Sequence, residues 1–218
     1  MWGADEFCLV VPTWTGWWVL EDFFARYGAG GLDQFDPGDG KPARKLTHKA
    51  GLVFCHHEAP IHRIRDLAEN LAYLAKSQAL ANRMAYQILE SFDSLGVDQD
   101  DFWQKRLPRE ISRKDLVVPG AAMTRLRELG IDLKNSVPRS RLHEILNHLS
   151  RAQDLKAGVE EGRRTLARAA RNDAKAPATF AEFAGLWGNE DKHQAIAWLH
   201  LGELWDYLTP VEWTVEGA

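Results

Sequence analysis

Asp5 and Glu6 stand side by side after Gly3-Ala4 and ahead of the apolar run Phe7 to Val11. Adjacent carboxylates on a tight turn are hard oxygen donors that together can share divalent ions. Small residues before them let a nucleotide approach the backbone closely. The same residues also make an ordinary acidic hairpin turn, and spacing alone favours that plainer reading. A second set is Cys55, His56 and His57 with His62 downstream, all side chains that zinc accepts. On a strand Cys55 and His57 point to one face and His56 to the other, so the set does not converge and a strand-end role is expected. A third candidate is Lys76 at the end of a helical pattern, with Asn82 and Arg83 before the next strand. A lysine there touches phosphate as a point charge. It is equally the favourable cation that any helix C-terminus attracts.

Other patterns fail on spacing or stay open. In "HEILNH" the two histidines, His143 and His148, do not share a helix face as an i, i+4 zinc pair does. Arg139 and His143 lie closer together than the Arg-to-His pair of HEPN-type ribonucleases. Both sets are expected to be helix-surface residues. The stretch from Arg151 to Lys175 carries Arg163, Arg164, Arg168 and Arg171, diluted by Asp154, Glu160, Glu161 and Asp173. It suits a solvated helix face or, more sharply, a face that tracks phosphates or docks a subunit. The glycines of "GAGGLDQFDPGDGKP" do not sit between a strand and a helix and carry no dinucleotide signal.

These residues need elements to hold them. Phe7 to Val11, closed by Pro12, reads as a short buried strand. Thr13 or Thr15 can cap a helix in which Trp17, Leu20, Phe23, Phe24 and Tyr27 recur at helical spacing. "KAGLVFCHH" is a second strand. Pro60 opens a helix whose apolar face is Ile64, Leu67, Ala68, Leu71, Ala72 and Ala75, and "MAYQILES" is a third strand. Helical segments are then expected over about 120–130, 138–150, 152–172, 179–187 and 192–208, with Thr179 capping the fourth. The expected organisation is an α/β unit over 1–95, an irregular connection over 96–119 and a helical bundle over 120–218.

Composition narrows the setting. The chain has 218 residues and a formal net charge of −4, so nucleic-acid contact would need a local basic patch. Two cysteines fit a reducing compartment, and no stretch is long and apolar enough to span a membrane. A basic segment leading into an apolar one is missing at the N-terminus, and a cytoplasmic location is expected.

Taken in order, "WGADEFCLVVP", "KAGLVFCHHEAPIHRIRDLAENLAYLAK" and "MAYQILESFDS" resemble the closing half of a GGDEF-type cyclase palm. More narrowly, they are similar to the second palm of the large signature subunit of type III CRISPR effector complexes. The matching positions are Ala50-Gly51, His56-His57, Pro60, Ala75-Lys76 and Gln87 to Asp93, and the resemblance is specific over 2–93 and architectural beyond. It implies an α+β fold: a partial ferredoxin-like palm, with an antiparallel sheet and helices on one face, followed by an α-helical bundle. It further implies a nucleotidyltransferase that takes ATP with Mg2+ or Mn2+ and makes cyclic oligoadenylate. The 3′-hydroxyl of one ATP attacks the α-phosphorus of another, and pyrophosphate leaves. By carry-over, Asp5 and Glu6 would be the catalytic, metal-binding pair. Gly3, Ala4 and Lys76 would contact the nucleotide. Partners would be the other effector subunits, with crRNA and target RNA reached through the complex.

Two departures qualify the resemblance. Ala4 stands at the motif's second glycine, where a methyl restricts the turn. The family also places a strand bearing another metal-binding aspartate before the motif, and residues 1–218 do not contain it. The expectation is that an N-terminal palm fragment must pair with this chain to complete the sheet and the site. The competing expectation is a non-catalytic scaffold subunit of the same kind of complex. A diguanylate-cyclase-type protein ranks lower, since "CHHEAP" and the appended helices fit the CRISPR palms better.

Overall fold

A computed structural model describes residues 7–29, 34–35, 40, 44–76, 82–89, 103–170 and 175–208. Its best-patterned stretch folds as one β-α-β unit. Strand β3 (Lys49–Phe54) leads through a turn into helix α2 (Ile61–Lys76), which returns the chain to strand β4 (Arg83–Ile88). Pro60 starts α2 as expected: its carbonyl accepts from Arg63 N and Ile64 N at 3.0 and 3.1 Å. Because α2 carries the chain back to the edge it left, β4 must run the same way as β3. The register is parallel, from Lys49↔Arg83 to Phe54↔Ile88. Strand β5 (Val118–Pro119) then adds antiparallel to β4, giving a mixed three-stranded sheet in the order β3-β4-β5. This corrects the antiparallel sheet expected of a palm. It also puts a strand inside the stretch read as an irregular connection. A separate pair, β1 (Gln34–Phe35) and β2 (Arg44–Lys45), is antiparallel.

Side-chain alternation along the strands sends successive residues to opposite faces. Val53, Cys55, Ala85 and Leu89 meet Leu67, Leu71 and Ala75 of α2. Contact there is close enough to require glycine. A Cβ on Gly51 would lie 1.9 Å from the carbonyl oxygen of Ala68 and 2.9 Å from Ala72 N. Ala50, Leu52, Phe54, Met84, Tyr86, Ile88 and Val118 face the other way, into a larger core. Helix α1 (Gly16–Ala29) reaches that core through Trp17 and Phe24. Helices therefore cover both faces of the sheet, which corrects the expected one-sided cover.

The larger core continues without a break into α3 (Met123–Ser136), α4 (Arg139–Arg151), α5 (Leu155–Ala169), α6 (Ala176–Gly185) and α7 (Asp191–Leu204). Each of the five helices overlaps a segment that periodicity marked, but the first runs on to Ser136 rather than ending near 130, and the last ends at Leu204 rather than 208. The fourth begins three residues before Thr179, with Pro177 in its first turn, because proline loses no helix bond there. α7 is the central rod: Ala195, Ile196, Ala197, Trp198, His200, Leu201 and Leu204 are all buried. Such all-round burial requires an apolar helix without an exposed polar stripe. The Trp198 ring stacks on Phe180 at 3.6 Å between centroids. Arg127 of α3 grips Glu21 of α1 with two bonds, Nε to Oε2 at 2.7 Å and Nη2 to Oε1 at 3.0 Å. Among the described residues no helix is long and apolar enough to cross a membrane.

The segment after the acidic pair differs from expectation. Residues 7–12 form no strand, and Phe7, Leu9 and Val10 are 59%, 61% and 80% exposed. A strand needs a neighbour for its backbone donors and acceptors, and among the described residues no strand borders the outer edge of β3. Phe7 instead rests edge-on against Phe23 of α1, 5.4 Å between centroids.

Candidate functional site

Gly3, Ala4, Asp5 and Glu6 lie outside the described residues, so the structure locates Lys76 alone among the sequence-derived site residues. It does so informatively. α2 starts beside the end of β3 and packs Ala68 and Ala72 over Gly51, so its C-terminus reaches the edge where β3 and β4 begin. Lys76 is exposed there, its Nζ 6.0 Å from the Tyr73 ring centroid. At the same edge Lys49 and Arg83 are register partners on adjacent parallel strands. Both alternate onto the α2 side, in step with Val53 and Ala85. Burial, and then the nearby Arg83 guanidinium, push the Lys49 ammonium below its usual pKa.

Backbone bonds fix this edge. Asn82 Oδ1 accepts from His48 N at 2.8 Å, Arg83 N donates to His48 O at 3.1 Å, and Gly120 N donates to Asn82 O at 2.9 Å. The His48 ring packs on Tyr27 and Phe23 at 4.2 and 5.3 Å between centroids, and burial lowers its pKa. Lys49 and Arg83 are thus neighbours at the start of the two strands, while Lys76 lies on the last turn of α2. Lys76 and Arg83 were legible as a pair close in sequence. Lys49 was not, because only the strand register brings it beside Arg83.

The histidine set behaves as a turn. β3 stops at Phe54, so His56 and His57 are not on alternate strand faces; they sit in the turn with rings 4.1 Å apart and are exposed. Ala59 N donates to His56 O at 3.0 Å, closing it. Burial raises the pKa of the Cys55 thiol, which disfavours the thiolate that a metal would need. Among the described residues no group of three or more His, Cys, Asp or Glu is placed to hold a metal ion.

The arginine-rich α5 is engaged with its own fold. Arg163 bonds Gln194 and Asp191 of α7, each at 2.8 Å, and Arg164 pairs with Glu160 and Glu161 at 3.4 Å. Arg168 reaches Glu161 at 3.0 Å and Thr165 at 2.9 Å. Arg171 and Asp173 lie outside the described residues. On α4, His143 is exposed, and Arg139 holds Asp206 at 2.8 and 3.1 Å. These are surface roles, as spacing suggested.

One buried polar group had no sequence signal. Tyr86 of β4 and His200 of α7 share a 2.7 Å hydrogen bond between the phenol oxygen and Nδ1, in the interface of sheet and helices. Trp187 stacks on the imidazole at 4.6 Å. Burial pushes the His200 pKa down to about 3, and burial followed by the charge of Glu203 pushes that of Tyr86 well up. Both are therefore neutral across the ordinary pH range. A small cavity of about 30 Å³ beside them is lined by Trp103, Arg106 and Glu203 among others.

Comparison with known protein families, with curated proteins and with solved structures finds no match to this chain.

Proposed function

We propose that this chain forms part of the second palm, and the terminal helices, of the large subunit of a type III CRISPR effector complex. The proposed activity is cyclic oligoadenylate synthesis from ATP. What carries the reading is an arrangement: "KAGLVF", the helix ending Ala75-Lys76, and "RMAYQI" fold as one β-α-β unit. That unit carries the proposed phosphate contact, Lys76, on the last turn of α2. In this reading Asp5 and Glu6 supply hard oxygen ligands of the kind Mg2+ and Mn2+ prefer. Such an ion stabilises charge on the attacking and leaving oxygens. Lys76 steadies phosphate charge, while Gly3 and Ala4 let the nucleotide close on the turn. The strand and aspartate that the family places before the acidic turn come from outside these 218 residues. The outer edge of β3 and the exposed Phe7, Leu9 and Val10 are suited to receive added strand.

The test is synthesis of oligoadenylate from labelled ATP with Mg2+ by the assembled complex, with target RNA. Asp5→Ala is expected to lower it at least a hundredfold, and an unchanged product level rejects the assignment. The scaffold reading draws on a specific observation: the exposed apolar side chains, Trp14 at 69% included, suit subunit contact with or without catalysis. Intact complex assembly together with Asp5-independent output would favour it.

A further inference from the structure

Strand β3 lies at the edge of its sheet. His48 O and Phe54 O accept from Arg83 N and Leu89 N, at either end of β4. Backbone groups alternate sides along a strand, so the even positions of β3 turn toward β4, and Gly51 and Val53 turn their N–H and C=O groups outward. Among the described residues no strand meets that outer edge. β3 is half-buried over Lys49–Val53, whereas β4 is buried from Met84 to Ile88. Between Lys49 and Phe54 the row reads Ala-Gly-Leu-Val, without the proline or charge that blunts natural strand edges. Such an edge invites a covering strand.

The chain itself heads there. His200 of α7 bonds Tyr86 on β4, and further along the Tyr207 ring lies 4.4 Å from that of Phe54, the last residue of β3. Between them the polypeptide crosses from the middle strand to the edge strand. Leu208 is fully buried and its carbonyl accepts from Lys134 Nζ at 3.0 Å, which fixes the point of exit. Residues 209–218 lie outside the described residues, but their sequence is specific: Thr-Pro-Val-Glu-Trp-Thr-Val-Glu comes first. Val211, Trp213 and Val215 alternate with Glu212, Thr214 and Glu216, the period of a strand with one apolar face, in β-branched and aromatic residues. Pro210, which has no amide to donate, precedes the pattern, where a strand tolerates it.

We infer that residues 211–216 add to the sheet as a further strand, antiparallel to β3 on its outer edge. Direction follows from the exit beside Phe54, since a segment starting there can follow β3 only back toward Lys49. The six residues of β3 span about 20 Å, and 211–216 match them in length. Val211, Trp213 and Val215 then extend the face of Leu52 and Phe54, which belongs to the larger core. Glu212, Thr214 and Glu216 take the opposite face of the outermost strand. The outward groups of Gly51 and Val53 gain ladder partners. This inference does not rest on the function proposed above; a strand supplied by another polypeptide would compete for the same edge.

Amide hydrogen exchange, followed residue by residue, tests it on the full 218-residue chain and on a chain ending at Leu208. Gly51 and Val53 are expected to be protected in the full chain and to exchange at least about tenfold faster in the shortened one. Ala85 and Gln87, whose amides bond β3 inside the ladder, should stay protected in both and report that the sheet is intact. Trp213→Ser in the full chain should speed exchange at Gly51 and Val53 in the same way, whereas Thr214→Ala should not. A synthetic peptide of residues 209–218 should restore protection to the shortened chain, and a scrambled peptide should not. Unchanged exchange at Gly51 and Val53 on shortening, or in Trp213→Ser, overturns the inference. Protection that disappears on dilution of the full chain also overturns it, because a second copy would then occupy the edge.

Discussion

The two faces of the sheet are packed by different means. On the α2 side a small cluster of Leu67, Leu71, Ala75, Ala85 and Leu89 closes around a glycine, and helix backbone lies directly on strand backbone at Gly51. On the other side large side chains, among them Trp17, Phe54, Met84 and Tyr86, fill the space to α1 and α7. The first face is intolerant of added volume, and the second of lost volume. The α2 side also sets Lys49 beside Arg83 on neighbouring strands, whereas the arginines of α5 pair with carboxylates and amides on their own and neighbouring helices.

That contrast breaks most sharply by deletion in the larger core. Phe183 is fully buried, and Phe183→Ala should cost about 4 kcal/mol through lost transfer and the cavity left behind. Denaturant unfolding measures it. Next is Gly51→Ala, which adds a single methyl but must lift α2 off the strand; a loss of about 3 kcal/mol is expected by the same measurement. The flanking Ala50 points to the other face, so Ala50→Gly should cost only about 1 kcal/mol. If the two substitutions cost the same, the faces are not packed differently.

Removing Arg127 tests the clamp between α1 and α3. Glu21 is 7% exposed, so Arg127→Met leaves a buried carboxylate without its fork, and about 2 kcal/mol should be lost.

His200 adds a pH signature specific to the larger core. Its folded pKa of about 3 lies below the ordinary 6.5, so the unfolded chain takes up a proton that the folded chain refuses. Stability should be full above pH 6.5 and decline as pH falls toward about 3, with a limiting slope of about 1.4 kcal/mol per pH unit from this group. His200→Phe should flatten that slope. A profile unchanged by the substitution would show that His200 is not buried as described. The smallest effect is expected on the surface of α5, where Arg163→Ala should change stability by about 0.5 kcal/mol despite its three partners.

Much of the framework was readable from local pattern. The face Leu67, Leu71 and Ala75 recurs at helical spacing, and Pro60 marks the start of α2. The last five helices follow from the same periodicity, since a helix advertises its buried stripe within a few turns. The strand at Phe7 to Val11 was misread for a reason equally local. An apolar run states what a segment could bury, and residues 7–12 have no strand beside them in the described structure. The antiparallel sheet came from the resemblance to a palm; the strand-helix-strand order of the residues themselves is what makes β3 and β4 parallel. In the candidate site Lys76 was legible as the end of a helix, while Lys49 was silent as one charged residue before an apolar strand.

Residue order by itself determined the longer helices, the strands β3 and β4, where α2 begins, and that a glycine sits at position 51. These are short-range consequences of periodicity, capping and the absence of a side chain. Tertiary structure alone decided that β4 runs parallel to β3, that Tyr86 bonds His200, and that Lys49 stands opposite Arg83. Each of those couples residues far apart along the chain, and only the folded register and packing set the distance between them.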